Sequence, residues 1–423
     1  MSDTAREHDL VLFGATGFTG RLVARHLAEH APAEVRIALA GRSRARLEAV
    51  RAGLGGRAAD WPLVVVDALD EDAVADLAGR TRVVATAVGP YLKYGLPLVR
   101  ACAAAGTHYC DLTGEVLFIH RSIADNHETA RASGARIVHA CGFDSVPSDL
   151  AVLLAAEAAH SDAADLGTTR LAVRSLRAAF SGGTVDTART IAVEMRSSAE
   201  ARRVLADPWA LAEGGRPPRR PATSSKPGGL GGLVDRVVRA SPVRRDPDNG
   251  HFTGPFVMAS FNTRVVARSA SLLGYGEGFR YTEYSDYGPG PRGAVTAGLV
   301  SGALLAGVAG LGFGPTRAVL DRVLPAPSEG PSEEVMAKGR FRMEVTAEAT
   351  NGARYRATVG ARLDPGYTGA AVMFGQAALA LVLDGERLPG TPGGVLTPAT
   401  AVGRPLVERL RAHDFILEAE RLP

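Results

Sequence analysis

Short apolar runs alternate with amphipathic stretches along the first 150 residues of the chain. The apolar runs have the length of strands buried on both faces, and they lie at residues 10–13, 37–40, 63–66, 83–88, 109–112 and 137–140. The stretches between them repeat apolar positions at helical spacing, at residues 21–30, 44–54 and 96–105. Buried strands separated by helices are typical of a parallel sheet covered on both faces. The pattern predicts an α/β fold in which residues 1–150 form a doubly wound Rossmann domain.

The pattern changes beyond residue 165, where the predicted strands alternate apolar and polar positions. They lie at residues 171–180, 279–287, 341–350 and 353–363, with a helix at 184–205 and a type I′ turn at Asn351-Gly352. We therefore expect residues 151–366 to form a second, α+β domain with a mixed sheet. This domain would hold the substrate and offer a surface for a homodimer. Residues 367–423 begin with an apolar helix at 368–383 and are expected to return to the Rossmann domain.

Two segments of the second domain depart from this pattern. Residues 206–250 include a stretch rich in Gly, Pro, Ser and Arg, which predicts a mobile surface loop. Residues 293–313 carry no charge, and small residues recur there at every fourth position, at Ala294, Gly298, Gly302, Ala306 and Gly310. Three interpretations compete for this apolar segment: a tightly packed internal helix, a helix at a membrane interface, and a membrane span. The interfacial interpretation places the small-residue face against the protein and the leucines toward lipid.

Composition narrows the functional classes. The 423 residues include 48 Lys and Arg against 45 Asp and Glu, which leaves no excess of charge for binding a nucleic-acid backbone. Cys102, Cys110 and Cys141 form no C-x-x-C pair and have no histidine at metal spacing, so neither a metal site nor a disulfide framework is expected. The N-terminal residues lack the apolar core of a secretory signal. We expect a cytoplasmic protein, with peripheral attachment to the inner face of the plasma membrane as an alternative.

A glycine-rich motif directly follows the first predicted strand and opens the first predicted helix. Its sequence is Gly14-Ala15-Thr16-Gly17-Phe18-Thr19-Gly20. Glycines at this point allow a tight turn and close approach of the backbone to a pyrophosphate, while N–H groups at the helix N-terminus face the phosphates. Because the motif lies between strand and helix, it predicts a dinucleotide site. The residues assigned to it are Gly14, Thr16, Gly17, Phe18, Thr19 and Gly20.

The end of the second strand favours NADP(H) over NAD(H). An NAD enzyme usually places Asp or Glu there to bind the ribose 2′-hydroxyl, but this chain has Arg42 and Ser43, and the next acidic residue is Glu48. Arg42 is suited to stack on adenine and to pair with a 2′-phosphate, and Ser43 can add a hydrogen bond. Asp67, after the third strand, either accepts from the adenine amine or caps the next helix.

The loop after the fourth strand carries the candidate catalytic residues. Gly89 and Pro90 are expected to pass close to the nicotinamide ribose, and they are followed by Tyr91 and Lys93. Reduction by a nicotinamide cofactor needs an acceptor carbon for the hydride, stabilisation of the developing negative charge and a proton donor. Tyr91 or Lys93 could fill either acidic role, although for each residue taken alone the favoured interpretation is an aromatic ring packed under the cofactor or a solvated lysine. No tyrosine in the chain has a lysine four residues later, so the Tyr-x-x-x-Lys mechanism is excluded.

Carboxylates also follow the fifth and sixth strands. Asp144 and Ser145 precede a predicted helix with proline in its first turn, so we interpret them as residues that cap the helix and fix the loop, with catalysis as the alternative. Residues 113–115 are interpreted as a second cap. The scattered histidines receive no role. No G-x-S-x-G or H-E-x-x-H motif occurs, so hydrolase chemistry is not indicated.

Several of these motifs resemble the saccharopine dehydrogenase-like oxidoreductases, and among them most closely the actinobacterial trans-acting enoyl reductases of phthiocerol-type lipid biosynthesis. The resemblance rests on the glycine motif and on residues 40–43, 88–91, 109–115, 141–149, 181–184, 261–264 and 352–358, and so spans nearly the whole chain. It implies an NADP-dependent reductase with a Rossmann domain, an inserted mixed-sheet domain and contact with lipid or membrane.

The expected function is therefore reduction of a carbon–carbon double bond in a lipid or polyketide acyl chain, carried by a polyketide synthase or acyl carrier. Two alternatives remain open at the level of sequence. A saccharopine dehydrogenase-type amino-acid oxidoreductase would need clustered arginines in the cleft, whereas an acyl substrate would need an apolar slot. A non-catalytic, lipid- or membrane-associated protein with a vestigial nucleotide fold would neither bind nor oxidise NADPH.

Overall fold

The computed structural model describes residues 6–178, 198–215, 243–246, 248–311, 331–390 and 392–423. The strands within these ranges are β1 (His8–Phe13), β2 (Ile37–Gly41), β3 (Leu63–Val65), β4 (Thr81–Thr86), β5 (His108–Asp111), β6 (Arg136–Val138), β7 (Leu166–Arg177), β8 (Arg244–Arg245), β9 (Phe252–Pro255), β10 (Arg280–Asp286), β11 (Arg340–Ala349), β12 (Arg354–Ala361), β13 (Gly394–Leu396) and β14 (Ile416–Leu422).

The α-helices within the same ranges are α1 (Phe18–His30), α2 (Arg44–Leu54), α3 (Glu71–Gly79), α4 (Tyr91–Tyr94), α5 (Leu96–Ala105), α6 (Val116–Ser133), α7 (Val146–Ser161), α8 (Ala199–Ala206), α9 (Ala259–Leu273), α10 (Gly290–Leu311), α11 (Glu333–Ala337), α12 (Thr368–Leu383), α13 (Pro398–Ala401) and α14 (Gly403–Arg411). Two short 3₁₀ helices lie at Gly56–Asp60 and Gly385–Arg387.

The first sheet is parallel throughout and has the order β13-β6-β5-β4-β1-β2-β3. Its six N-terminal strands match the six predicted apolar runs, so the predicted α/β fold with a Rossmann sheet is confirmed. The strand order reverses between β1 and β4, the point at which open α/β sheets bind ligands beyond their carboxyl ends. This relation places the glycine motif and the loops after β4, β5 and β6 along one edge of the sheet.

The second sheet is mixed and has the order β14-β12-β11-β7-β10-β9-β8. Its β7 and β10 are parallel, and its other described neighbours are antiparallel. Helix α7 links the two sheets and packs on β11, β12 and β14. This helix is apolar on all sides, so it can be buried between both domains.

The hairpin predicted between the last two strands of this domain is confirmed, but its turn type is not. Strands β11 and β12 pair antiparallel around it. A type I′ turn needs φ > 0 at both central residues, whereas Gly352 has a φ of +80° and Asn351 does not have a positive φ. The Gly352 N–H donates to the Ala349 carbonyl at 3.0 Å, which gives a three-residue loop with glycine in the left-handed position.

The C-terminal segment contributes to both sheets, which the sequence pattern does not predict. Helix α12 packs on α1 and on the Rossmann strands β1, β4 and β5. Strand β13 then joins the Rossmann sheet beside β6, and β14 joins the second sheet beside β12. The chain therefore returns first to one domain and then to the other.

The apolar segment predicted at residues 293–313 falls largely within α10, which packs on β9. Within the part of α10 whose burial is described, the face against the protein carries Gly293, Ala297 and Ser301, and not Gly298 and Gly302 as expected. Gly298 and Gly302 face open space, and Leu299 is 70% exposed. The predicted orientation was wrong because a second set of small residues, one position away, fits the closer approach to β9. Among the described residues, no helix combines the length and hydropathy needed to cross a bilayer.

Three other sequence predictions concern residues that the described ranges exclude wholly or in large part. The predicted mobile loop at 206–250 lies mostly outside them, and so do the first part of the helix expected at 184–205 and the family motif at 181–184. The last part of that helix corresponds to α8.

Candidate active site at the carboxyl edge of the Rossmann sheet

The glycine motif forms the turn between β1 and α1. Gly14 has a φ of +90°, a conformation that side chains other than glycine rarely adopt. A Cβ atom on Gly20 would overlap the backbone of Gly14, so this residue lets the helix pack on the turn. Gly17 stands at the N-cap of α1 without a side-chain cap, and a Cβ there would meet only the Gly14 carbonyl oxygen, at 3.4 Å. The loop thus leaves the N-terminus of a 13-residue helix open to an anion, which fits a dinucleotide pyrophosphate.

The end of β2 presents cationic and hydroxyl groups next to this turn. Arg42 is exposed, and Ser43 caps α2 by accepting a hydrogen bond from the Arg46 N–H. Asp67 is exposed beyond β3 and accepts from the Leu69 N–H at 3.0 Å. The N-cap of α3 is Asp70, so the cap interpretation of Asp67 was wrong. An exposed arginine at the end of β2, where the chain itself has no Asp or Glu, fits a 2′-phosphate better than a 2′-hydroxyl.

The loop after β4 places Tyr91 inside the protein and Lys93 at its surface. The Tyr91 hydroxyl donates to the Thr86 carbonyl at 3.2 Å and accepts from the Leu112 N–H at 3.2 Å. Burial, with the Asp111 carboxylate nearby, raises the pKa of Tyr91 well above its usual range. Lys93 places its ammonium 4.9 Å from the centre of the Tyr94 ring. The preceding Gly89 is exposed and Pro90 half-buried, at the edge where the nicotinamide end is expected.

Glu115 connects this loop to the loop after β5. It stands at the N-cap position of α6 but makes no side-chain cap there, so residues 113–115 do not cap α6 as expected. Its carboxylate instead accepts from the N–H groups of Tyr91 at 2.9 Å and Leu92 at 2.8 Å. A carboxylate at the first turn of α4 fixes the loop that carries Tyr91.

A fully buried hydrogen-bonded chain lies behind the same loops. Asp111 contacts His139 Nδ1 at 2.7 Å, and His139 Nε2 contacts the Ser122 hydroxyl at 2.8 Å. The other Asp111 oxygen accepts from the N–H groups of Thr113 and Ala140, both at 3.0 Å. The set resembles the order of a hydrolytic triad. However, all three side chains are at most 2% exposed, so the chain fixes the loops after β5 and β6.

Asp144 and Ser145 do not have the capping role expected from sequence. Ser145 is at the N-cap position of α7 without a side-chain cap, and its hydroxyl donates to the Asn262 amide oxygen at 3.1 Å. Asp144 is half-buried, close to Gly114 in the neighbouring loop. Burial, reinforced by the Asp111 carboxylate, raises the pKa of Asp144 to about 6. The expected cap is therefore replaced by a half-buried carboxyl and an interdomain hydrogen bond.

The contact from Ser145 continues into a buried polar cluster between the domains. The Asn262 amide donates to Glu283 at 2.9 Å and to the Ser148 hydroxyl at 3.1 Å. The Ser148 and Tyr281 hydroxyls also donate to Glu283, each at 3.1 Å. Burial raises the pKa of Glu283 to about 7, although these donors oppose the shift. The sequence pattern does not predict this cluster, and the signals for it were the family motifs at residues 141–149 and 261–264.

Apolar side chains surround the Asp144 region. Leu112, Phe143 and Met258 are half-buried there, and Val257 is exposed beside them. The two buried arginines of α9 are occupied by backbone carbonyls: Arg264 by residues 205, 207 and 260, and Arg268 by Leu211 and Val395. Within the described ranges, no cluster of His, Cys, Asp and Glu is arranged to hold a metal ion. Among the described residues, the loops after β5 and β6 thus combine apolar side chains with the half-buried carboxyl of Asp144.

Comparisons with known proteins agree with this geometry. The profile of the saccharopine dehydrogenase NADP binding domain matches residues 10–138. The trans-acting enoyl reductase of Mycobacterium ulcerans is 44% identical over 431 residues, and that of Mycobacterium tuberculosis is 43% identical over 431 residues; both alignments cover 100% of each chain.

Among solved structures, saccharopine dehydrogenase (L-Glu forming) from Saccharomyces cerevisiae aligns with a TM-score of 0.53 at 14% identity, covering 98% of this chain and 100% of its own. This likeness concerns the fold. The full-length sequence identity and the NADP-binding domain carry the assignment further: the chain belongs to the trans-acting enoyl reductase family of saccharopine dehydrogenase-like proteins and is an NADP-dependent oxidoreductase.

Proposed function

We propose that this protein reduces a carbon–carbon double bond in a lipid or polyketide acyl chain presented by a polyketide synthase or an acyl carrier. The observation that carries the proposal is the full-length identity of 43–44% to proteins named trans-acting enoyl reductase. The apolar surroundings of Asp144 support it, because an acyl chain needs an apolar slot.

The chain's own residues would hold the cofactor and exclude water. The turn at Gly14–Gly20 would receive the pyrophosphate, Arg42 and Ser43 the 2′-phosphate, and Asp67 the adenine amine. Gly89 and Pro90 would border the nicotinamide end. When bound, NADPH supplies the hydride that reduces the acyl group. Glu115 and the Asp111–His139–Ser122 chain keep the loops around that position fixed before substrate arrives.

Among the described residues, the two buried arginines of α9 do not support the amino-acid oxidoreductase alternative. A substrate with several carboxylates favours clustered guanidinium groups in the cleft. Arg264 and Arg268 are the arginines of α9, and both donate to backbone carbonyls instead. The acyl-chain function is therefore the better supported of the two.

The test consists of two assays of the purified protein. One supplies NADPH and an enoyl thioester on an acyl carrier protein, and the other supplies NADP⁺ and saccharopine. Mass spectrometry should detect an acyl product two hydrogens heavier, with no turnover of saccharopine. Turnover of saccharopine alone would replace the proposal with the amino-acid alternative. Absence of NADPH binding would favour the non-catalytic alternative.

Contact with a membrane surface is a further part of the proposal, supported by the exposed side chains of Val295 and Leu299 on α10. The paired substitution Val295→Ser and Leu299→Ser should abolish sedimentation with anionic lipid vesicles while NADPH affinity stays unchanged. If the intact protein never sediments with vesicles, membrane contact is excluded and the acyl substrate would have to be presented by a protein carrier.

We also propose a homodimer formed through the second sheet. Strand β14 forms one edge of that sheet, and its first residue, Ile416, is 41% exposed. Light scattering on the intact protein should give twice the monomer mass, and Ile416→Glu should shift that mass toward the monomer. A monomer at every concentration would remove this part of the proposal.

A further inference from the structure

The carboxyl groups near the active-site edge differ in what they bind. Asp111 accepts hydrogen bonds from His139 and from two backbone N–H groups, and Glu115 accepts from two backbone N–H groups. Asp149 is fully buried, accepts from the Ala399 N–H at 2.8 Å and contacts the Ser269 hydroxyl. Each of these carboxylates therefore has a structural task.

Asp144 differs from them in both access and partners. It is only half-buried, and among the described residues its carboxyl group accepts a hydrogen bond from its own backbone N–H but from no other side chain. A Cβ atom on Gly114 would stand 3.5 Å from Asp144 Oδ1, so the loops after β5 and β6 meet at this carboxyl. The same position on Gly114 lies 4.0 Å from the terminal methyl of Met258. Asp144 thus lies beside apolar side chains at the carboxyl edge of the Rossmann sheet, where we expect the substrate to meet the cofactor.

Hydrogen bonds to residues on both sides of Asp144 also fix the loop that carries it. The next residue, Ser145, donates to Asn262, whose amide nitrogen donates in turn to Glu283 and Ser148. On the other side, Asp111 accepts from the Ala140 N–H at the start of the same loop. A carboxyl whose backbone is fixed at both ends by buried hydrogen bonds is pre-organised for catalysis.

We propose that Asp144 is the proton donor of the reduction, a role that rests on the proposed enoyl reductase function. In the balanced reaction, the hydride adds at the β-carbon, the double bond becomes a single bond, and the Asp144 carboxylic acid gives its proton to the α-carbon. The resulting carboxylate takes a proton from solvent before the next turnover. The net change is enoyl group, NADPH and one proton to saturated acyl group and NADP⁺.

The surroundings of Asp144 suit this role, and they also disfavour the two donors expected from sequence. The Asp111 carboxylate on β5 and the Tyr91 phenol on α4 are the titratable groups that interact with it, and neither is a cation. Burial and Asp111 raise the pKa of Asp144 to about 6, so a minor protonated fraction remains near neutral pH. Tyr91 would have to give up its hydrogen bond to Thr86 before it could donate a proton, and Lys93 lies at the surface against Tyr94.

The first test compares Asp144→Asn with Asp125→Asn, which removes an exposed carboxyl on α6. Both variants should bind NADPH as the unchanged protein does. Asp144→Asn should lower kcat for enoyl reduction by about 100-fold or more with little change in KM, Asp144→Glu should recover part of that loss, and Asp125→Asn should match the wild type. Because the acid must be protonated to act, wild-type kcat should fall as pH rises above about 6, and this decline should be absent in Asp144→Asn.

The second test needs no turnover. Carbon-13 NMR of the apo protein labelled at aspartate carboxyls should show a resonance that titrates near pH 6 and disappears in Asp144→Asn. If this variant does not fold, Asp144→Glu and the wild-type titration decide the question.

If Asp144→Asn keeps the pH profile and the kcat of the wild type, the proposal is overturned while the enoyl reductase function stays intact. A greater loss in Tyr91→Phe than in Asp144→Asn would also overturn it and assign the proton to Tyr91. Failure of the wild-type protein to reduce any enoyl thioester, with the Asp144 titration still present, would instead refute the proposed function.

Discussion

The Glu115 carboxylate accepts a hydrogen bond from the Tyr91 backbone N–H at 2.9 Å, so the loop after β5 holds the loop after β4. Glu115→Ala would leave the N–H groups of Tyr91 and Leu92 buried without this acceptor. We expect the free energy of unfolding to fall by about 2 kcal/mol, together with weaker NADPH binding. Urea denaturation and fluorescence titration would measure the two effects, and Glu115→Gln, which keeps an acceptor oxygen, should lose less. Equal stability of all three proteins would contradict this role.

Gly17 and Gly20 should respond in opposite ways to an added side chain. Gly17→Val meets little inside the protein but projects where the pyrophosphate is expected, so it should abolish NADPH binding in a folded protein. Gly20→Ala places its methyl group against the Gly14 backbone and should cost roughly 2 kcal/mol or more of stability. Circular dichroism melting and NADPH titration separate the two outcomes. NADPH affinity retained in Gly17→Val would make the motif purely structural.

Arg42 should determine the choice between cofactors. We expect NADPH to bind at least about tenfold more tightly than NADH, which corresponds to about 1.4 kcal/mol. Arg42→Ala should remove most of this preference by weakening NADPH binding alone, whereas the exposed Arg46→Ala on α2 should not. Calorimetric titration with each cofactor measures the difference. Equal dissociation constants in the wild type would be incompatible with a 2′-phosphate site at Arg42.

Glu283 should make the folded protein more stable at mildly acidic pH than at neutral pH. Its pKa is about 7 in the folded state against an ordinary value of 4.5, so the folded state binds the proton more tightly. The stabilisation is complete below pH 4.5 and is lost as pH rises through about 7. Glu283→Gln should reduce the change in unfolding free energy between about pH 5 and pH 7 by on the order of 2 kcal/mol. Chemical denaturation at both pH values measures it, and an unchanged slope would show that Glu283 does not titrate in this range. Asp144 and Asp149, whose pKa values are also raised, act in the same direction in both proteins.

The sequence predicts the Rossmann half of this fold because its signals are local. Each buried strand is a continuous apolar run, and the turn at Gly14 is marked by residues adjacent in the chain. The candidate site residues of that half, from the glycine motif to Arg42, could be predicted because they too lie directly beside these strands in the sequence.

Other features depend on residues distant in sequence, and sequence patterns cannot place these. Asn262 meets Ser145 across 117 residues, and Asp149 meets Ala399 across 250. A Ser or Asp before a helix has the same local pattern whether it caps that helix or, as with Ser145, bonds to another domain. The predicted orientation of α10 was wrong for a similar reason, since small residues occur on more than one of its faces.

The return of the chain to both sheets bears on whether this enzyme can be divided. A fragment ending near residue 150 would expose the β6 edge that β13 covers and the sheet face beneath α12. Removal of the final strand would likewise open β12 in the other sheet. The Rossmann half is thus unsuited to transplantation as a module, and a change to the second domain must preserve the C-terminal segment. The last strand of each sheet, β13 in the Rossmann sheet and β14 in the second sheet, therefore comes from residues 394–422.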